Sequence, residues 1–171
     1  LNTAKLVLIT AAVVWLQLAS LPAIRPLGVV PNLALVVVLL LAVRLPVVTS
    51  LTIAVVIGWL LDSGAGSDYG LRITFYSMLV ILVVFLRQQG SDLENLSLQA
   101  SLVTAGTVLL NLAILANLAF NHVTLPLSYV GLKLLAEVIC NLLLLFPVRW
   151  VLSAMIGGSN EMVVSVGGRR G

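Results

Sequence analysis

Residues 50–87 read SLTIAVVIGWLLDSGAGSDYGLRITFYSMLVILVVFLR, and this stretch decides the fold. Two apolar runs, residues 46–61 and 71–86, flank the polar, glycine-rich loop 62–70, and Arg87 closes the second run. A helix rises about 1.5 Å per residue and the hydrocarbon of a bilayer is about 30 Å thick, so two such runs joined by a short loop read as a membrane hairpin.

The rest of the chain agrees. Of 171 residues, 61% are hydrophobic and 9% charged, whereas soluble domains carry about 25% charged residues. A water-soluble fold cannot hide that much apolar surface. At roughly 20 residues per crossing, the length holds at most about six or seven spans and leaves no room for a soluble domain. The net charge of +3 comes from basic residues scattered singly along the chain. They read as topology determinants, and no nucleic-acid partner is expected. Cys140 is the only cysteine and lies within an apolar run, which removes a disulfide framework or a thiolate metal site. No cofactor is implied.

Beyond the hairpin, residues 6–21 form a first span. Leu18 and Ser20 make a poor small-x-small cleavage site, so the run reads as a helix and not as a signal peptide. Pro31 suits the first position of a second helix, residues 32–43, which stops at Arg44-Leu45-Pro46. Counted from Pro31 to Arg44 and from Pro46 to Leu61, this helix and the next have about 14 to 16 residues each and cover only about 21 to 24 Å, so they either cross steeply or form a re-entrant hairpin shielded by protein. Ser91 and Glu94 match a capping box, which predicts a fifth helix over residues 92–120. A sixth spans 127–146, and Pro147 is expected to kink any continuation. The expected fold is an all-α, polytopic membrane protein with about six transmembrane helices in one domain, residues 1–156. A glycine-rich tail, residues 157–171, is expected to be disordered and cytoplasmic.

With the N-terminus inside, Lys5, Arg44, Arg87, Arg149, Arg169 and Arg170 fall on the cytoplasmic side, against Arg25 and Arg72 outside. The positive-inside rule then places both termini in the cytoplasm. Trp59, Tyr69, Tyr129 and Trp150 fit interfacial aromatic belts.

Polar and small residues fall on lines. Ser50, Ala54, Gly58 and Asp62 recur every four residues on one face of the third helix, a spacing that lets a neighbouring backbone come close. The stripe serves helix packing within the bundle or an interface with another protein. On the sixth helix Tyr129, Lys133, Glu137 and Asn141 form a second line, in which Lys133 and Glu137 are expected to pair away from lipid, as a structural ion pair or as a ligand or partner contact. Ala100, Thr104, Thr107 and Asn111 make a milder line on the fifth helix. Asp62, Asp68 and Arg72 are placed to exchange charge-assisted hydrogen bonds across the 62–70 turn.

That loop lacks the Gly-Lys-Ser/Thr ending of a phosphate loop, and Ala65 stands where a nucleophile elbow needs glycine. His122, the only histidine, reads as a loop residue, and no cluster has metal-ligand spacing. No catalytic centre is expected.

Pro31-Asn32-Leu33-Ala34-Leu35 opening a short helix that stops at Arg44-Leu45-Pro46, then Gly58-Trp59-Leu60-Leu61-Asp62, Gly66-Ser67 and Gly70-Leu71-Arg72, resemble the rod shape-determining MreD family over residues 25–90. The matching motif positions are Gly58, Asp62, Gly66, Gly70 and Arg72. The resemblance implies a non-enzymatic protein of the bacterial inner membrane that binds MreC, and through it belongs with MreB, the glycosyltransferase RodA and a penicillin-binding transpeptidase. It further implies a fold like the substrate-binding subunits of energy-coupling-factor vitamin transporters, with helices around a central groove. The expected function is a scaffold of cell-wall elongation that holds MreC by helix packing among membrane lipids. The alternative is a vitamin-binding subunit of such a transporter, for which Lys133 and Glu137 would orient the ligand.

Overall fold

A computed structural model describes residues 3–25, 28–65, 70–120 and 126–157. They form six helices: α1 (Thr3–Ile24, with a π-helical turn at Leu16–Ser20), α2 (Leu33–Arg44), α3 (Val47–Ala65), α4 (Leu71–Gln88), α5 (Leu96–Phe120) and α6 (Leu127–Gly157). The chain is an all-α, multi-pass membrane protein, and five of these helices are long and apolar enough to cross a bilayer. The sixth, α2, is not. Twelve residues rise only about 18 Å, so the expected count of about six spans is corrected to five by length plus one short helix.

Every residue from Leu33 to Val43 is buried. A helix apolar all round belongs in the centre of a bundle, and α2 contacts α1, α3, α4, α5 and α6. The short helix is therefore shielded by protein on all sides, while Ile24, Val48, Phe120 and Leu132 lie exposed on the outside of the bundle where lipid tails would cover them.

Side-chain contacts fix the helix directions. At one end Lys5 Nζ reaches the Met155 carbonyl, Arg44 Nη2 the Ser153 hydroxyl and Arg87 Nη1 the Leu45 carbonyl. Arg149 joins them, donating to Gln99 Oε1 and to the Glu94 carbonyl. Each of these groups stands near the start of α1, α3, α5 or the end of α2, α4, α6, so the six helices run alternately up and down. The other end gathers Arg25, Asp62, Arg72 and Lys133.

Local sequence explains the boundaries. Asn32 caps α2, its Oδ1 accepting from the Leu35 N–H at 3.0 Å. Gly70 takes φ 91 at the head of α4, a left-handed conformation that suits a residue without Cβ. Three expected boundaries shift. The third helix continues through Asp62 to Ala65. The capping box does not open α5: residues 92–95 form a turn in which the Asn95 N–H donates to the Asp92 carbonyl at 3.1 Å, Asn95 Oδ1 accepts from the Ser97 N–H at 2.9 Å, and the helix starts at Leu96. Pro147 sits inside α6 without ending it, because neighbouring turns carry the helix on to Gly157. The Gly66, Ser67, Asp68, Tyr69 and His122 positions, and the tail beyond Gly157, lie outside the described residues.

Candidate functional site

The stripe on α3 turns into the bundle, and its Gly58 and Asp62 face α4. Ser50, Ala54, Gly58 and Asp62 are buried, and a Cβ added at Gly58 would stand 2.7 Å from the Ile73 Cα. Only glycine permits that approach. One turn further, the Asp62 carboxylate accepts from the backbone N–H groups of Gly70 at 3.0 Å, Arg72 at 3.3 Å and Ile73 at 3.3 Å. It thereby caps α4 from a neighbouring helix, where an anion meets the positive end of the helix dipole. Arg72 Nη1 closes the arrangement with an ion pair to Asp62 at 3.3 Å, the only ion pair among the described residues. Asp62 and Arg72 thus meet across the turn, and Gly58, Asp62, Gly70 and Arg72 hold α3 against α4, while Ser50, buried like Ala54, donates its hydroxyl to the Leu41 carbonyl of α2.

A second set of polar residues forms the floor of a cavity. The Asn32 N–H donates to Asn141 Oδ1 at 2.7 Å, and Tyr76 donates its hydroxyl to Asn32 Oδ1 at 3.0 Å. Asn141 Nδ2 donates to Thr107 Oγ1 at 2.9 Å, and Asn111 Nδ2 donates to the Thr107 carbonyl at 2.9 Å and to Glu137 Oε2 at 3.1 Å. From α1, Gln17 Nε2 donates to the Pro31 carbonyl at 3.0 Å. Four helices and the head of α2 are joined in this way, and the described residues contain no buried side-chain polar atom without a partner. Where lipid excludes water, each such group needs a protein partner.

The depth of this floor follows from the short helix. Between Leu127 and Asn141, α6 rises about 21 Å, so a helix that begins at the level of Asn141 fills only the half of the bundle toward Lys5. The other half holds a cavity of about 330 Å³ lined by α1, the 28–32 connection, α3, α4, α5 and α6. Arg25, Arg72, Lys133 and Glu137 are its basic and acidic lining residues. Arg25 ends α1 at φ 38, a left-handed conformation uncommon outside glycine, and lines the cavity from that position.

The expected Lys133–Glu137 ion pair is not made. Glu137 is buried and turned to Asn111, whereas Lys133 is exposed one turn nearer the helix start, where a long stem carries an ammonium toward the membrane surface. Asn141 is buried in the network, and Tyr129, on the same sequence line, points outward. The sequence reading passed over Gln17 and Tyr76 and gave Asn32 no polar role. The available signal was an amide or phenol set inside an otherwise apolar run, which membrane helices carry only where another helix satisfies it.

A different opening lies between α1 and α6 on the Lys5 side. It is a wholly apolar groove of about 520 Å³ lined by residues that include Leu8, Ala12, Val37, Pro147, Val148 and Val151, with α2 at its base. Among the described residues no group of three or more His, Cys, Asp or Glu side chains is placed to hold a metal ion.

No family model matches the chain, and neither a curated protein nor a solved structure matches it. The fold and the site therefore stand on the geometry of an all-α, multi-pass membrane protein with five helices of spanning length.

Proposed function

We propose that this protein is a non-enzymatic scaffold of the bacterial inner membrane, with both termini cytoplasmic, that holds a partner's single transmembrane helix. The groove between α1 and α6 carries this reading, because it is apolar throughout, open along the side of the bundle and deep enough to reach α2. Helix association in lipid is driven by van der Waals contact, so a furrow that lipid tails fill poorly favours a well-shaped helix. The partner is MreC, and through it MreB, RodA and a penicillin-binding transpeptidase; this identity rests on the MreD-like motifs of residues 25–90. Orientation rests on Lys5, Arg44, Arg87 and Arg149 gathering at one end of the bundle.

Ala12 is exposed at the groove, so Ala12→Trp fills it without entering the core. Co-purification of MreC in detergent should fall several-fold while expression and monodispersity are kept. Full recovery of MreC with Ala12→Trp would remove the groove as its docking site.

A second reading, a vitamin-binding transporter subunit, is favoured by the cavity with convergent polar groups, the usual form of a small-molecule site. A small molecule retained through purification and identified by mass spectrometry would support it over the scaffold.

A further inference from the structure

The lining of the cavity above α2 is electrically uneven. Three cations, Arg25, Arg72 and Lys133, face one carboxylate, Glu137. Arg72 uses Nη1 for Asp62, and Arg25 uses Nε for the Pro22 carbonyl. Their remaining guanidinium nitrogens, and the Lys133 ammonium, make no hydrogen bond among the described residues. The first N–H groups of α2 are already engaged by Asn141, Gln17 and the Asn32 side chain, so the helix end is not what recruits a ligand here.

The carboxylate stands deeper than the cations. Lys133 and Glu137 are one turn apart on α6, about 6 Å along the axis, with Glu137 on the floor side beside Asn111. Arg25 ends α1 and Arg72 lies in the first turn of α4, so both belong to the outer rim. No cation is within ion-pair distance of Glu137 among the described residues, although a buried carboxylate is costly without one. Leu18, Val29, Leu61, Leu110 and Ile114 supply apolar wall between the two levels.

We propose that this cavity binds a small zwitterionic group: a phosphate or carboxylate held at the rim by Arg25, Arg72 and Lys133, joined by a short linker to a primary ammonium that pairs with Glu137. A linker of two or three atoms matches the one-turn offset. The volume of about 330 Å³ falls at the small end of ligand sites, which suits a head group of this size. The inference does not depend on the scaffold reading, because the cavity and the apolar groove have no lining residue in common.

Two sources carry this chemistry, a phospholipid head group and a free solute. The full chain, purified in detergent, is titrated with phosphatidylethanolamine, with phosphatidylglycerol, which lacks the ammonium, and with free O-phosphoethanolamine, each read by the shift in thermal unfolding. The ethanolamine head, as lipid or as free solute, should bind at least tenfold more tightly than the glycerol head. Saturation by the free compound assigns a soluble source; saturation by the lipid alone assigns a membrane source. Glu137→Gln keeps the shape of the side chain and should abolish the preference for the ammonium, whereas Lys133→Gln should weaken both lipids alike. Equal binding of the two lipids by the unaltered protein, or a preference that survives Glu137→Gln, would overturn the proposal. If Glu137→Gln fails to fold, the unaltered protein and the exposed Lys133→Gln variant still decide it.

Discussion

Gly58 and Asp62 stand one turn apart on α3 and act on the same neighbour by different physics. Gly58 brings the backbone of α4 close, and Asp62 then reaches the N–H groups at the head of that helix. A methyl group at position 58 would meet the Ile73 backbone at 2.7 Å, which no rotamer change relieves. Gly58→Ala is therefore expected to destabilise the protein by about 1–3 kcal/mol, the usual cost of overpacking a tight contact, and thermal unfolding in detergent measures it. The four-residue spacing showed that these residues share a face, and the Gly-x-x-x-Asp pattern marked them together. What the pattern did not reveal was which neighbour they meet, since small residues serve an internal and an external helix equally well.

At the scale of the element, α2 is the helix whose environment differs most from its composition. Residues 33–43 are as apolar as any lipid-facing run, yet all are enclosed by protein. Val38 in α2 is 1% exposed and Ile81 in α4 is 57% exposed, although both are β-branched residues of apolar helices. Val38→Trp should lower the unfolding temperature sharply, since the core has no room for an indole, while Ile81→Trp should leave it nearly unchanged. Equal effects would place α2 at the surface. The helices and the Arg44 stop of α2 were legible because prolines and apolar runs are local signals, whereas Pro31, expected in the first helical position, stands outside the helix and Asn32 caps it. Enclosure was not legible, because in a membrane the lipid-facing and protein-facing sides of a helix are both apolar and hydropathy cannot separate them. The cavity stayed hidden for a related reason: it is a space left by a helix of insufficient length, and only the Asn32 to Asn141 hydrogen bond shows how deep that helix begins. The Lys133–Glu137 spacing was read correctly as one helix face, yet the pairing failed because Asn111, on another helix, was the nearer partner for the carboxylate.

For the whole molecule, the short helix decides the arrangement of everything else. Because α2 reverses the chain direction despite its length, α1 and α6 bring Lys5 and Met155 together at one end of the bundle. Counting only the five helices of spanning length would put those residues on opposite sides of the membrane. The apolar groove between α1 and α6 and the polar cavity above Asn32 are lined by separate sets of residues. The central claim, five helices of spanning length packed in alternating directions around a short enclosed helix, is tested most directly by labelling single cysteines in intact cells. In a Cys140→Ala background, Lys5→Cys and Ser153→Cys should both resist an impermeant maleimide until the membrane is opened, whereas Ser128→Cys, at the other end, should react at once. Reaction of Lys5→Cys and Ser153→Cys from opposite sides of the membrane would contradict it.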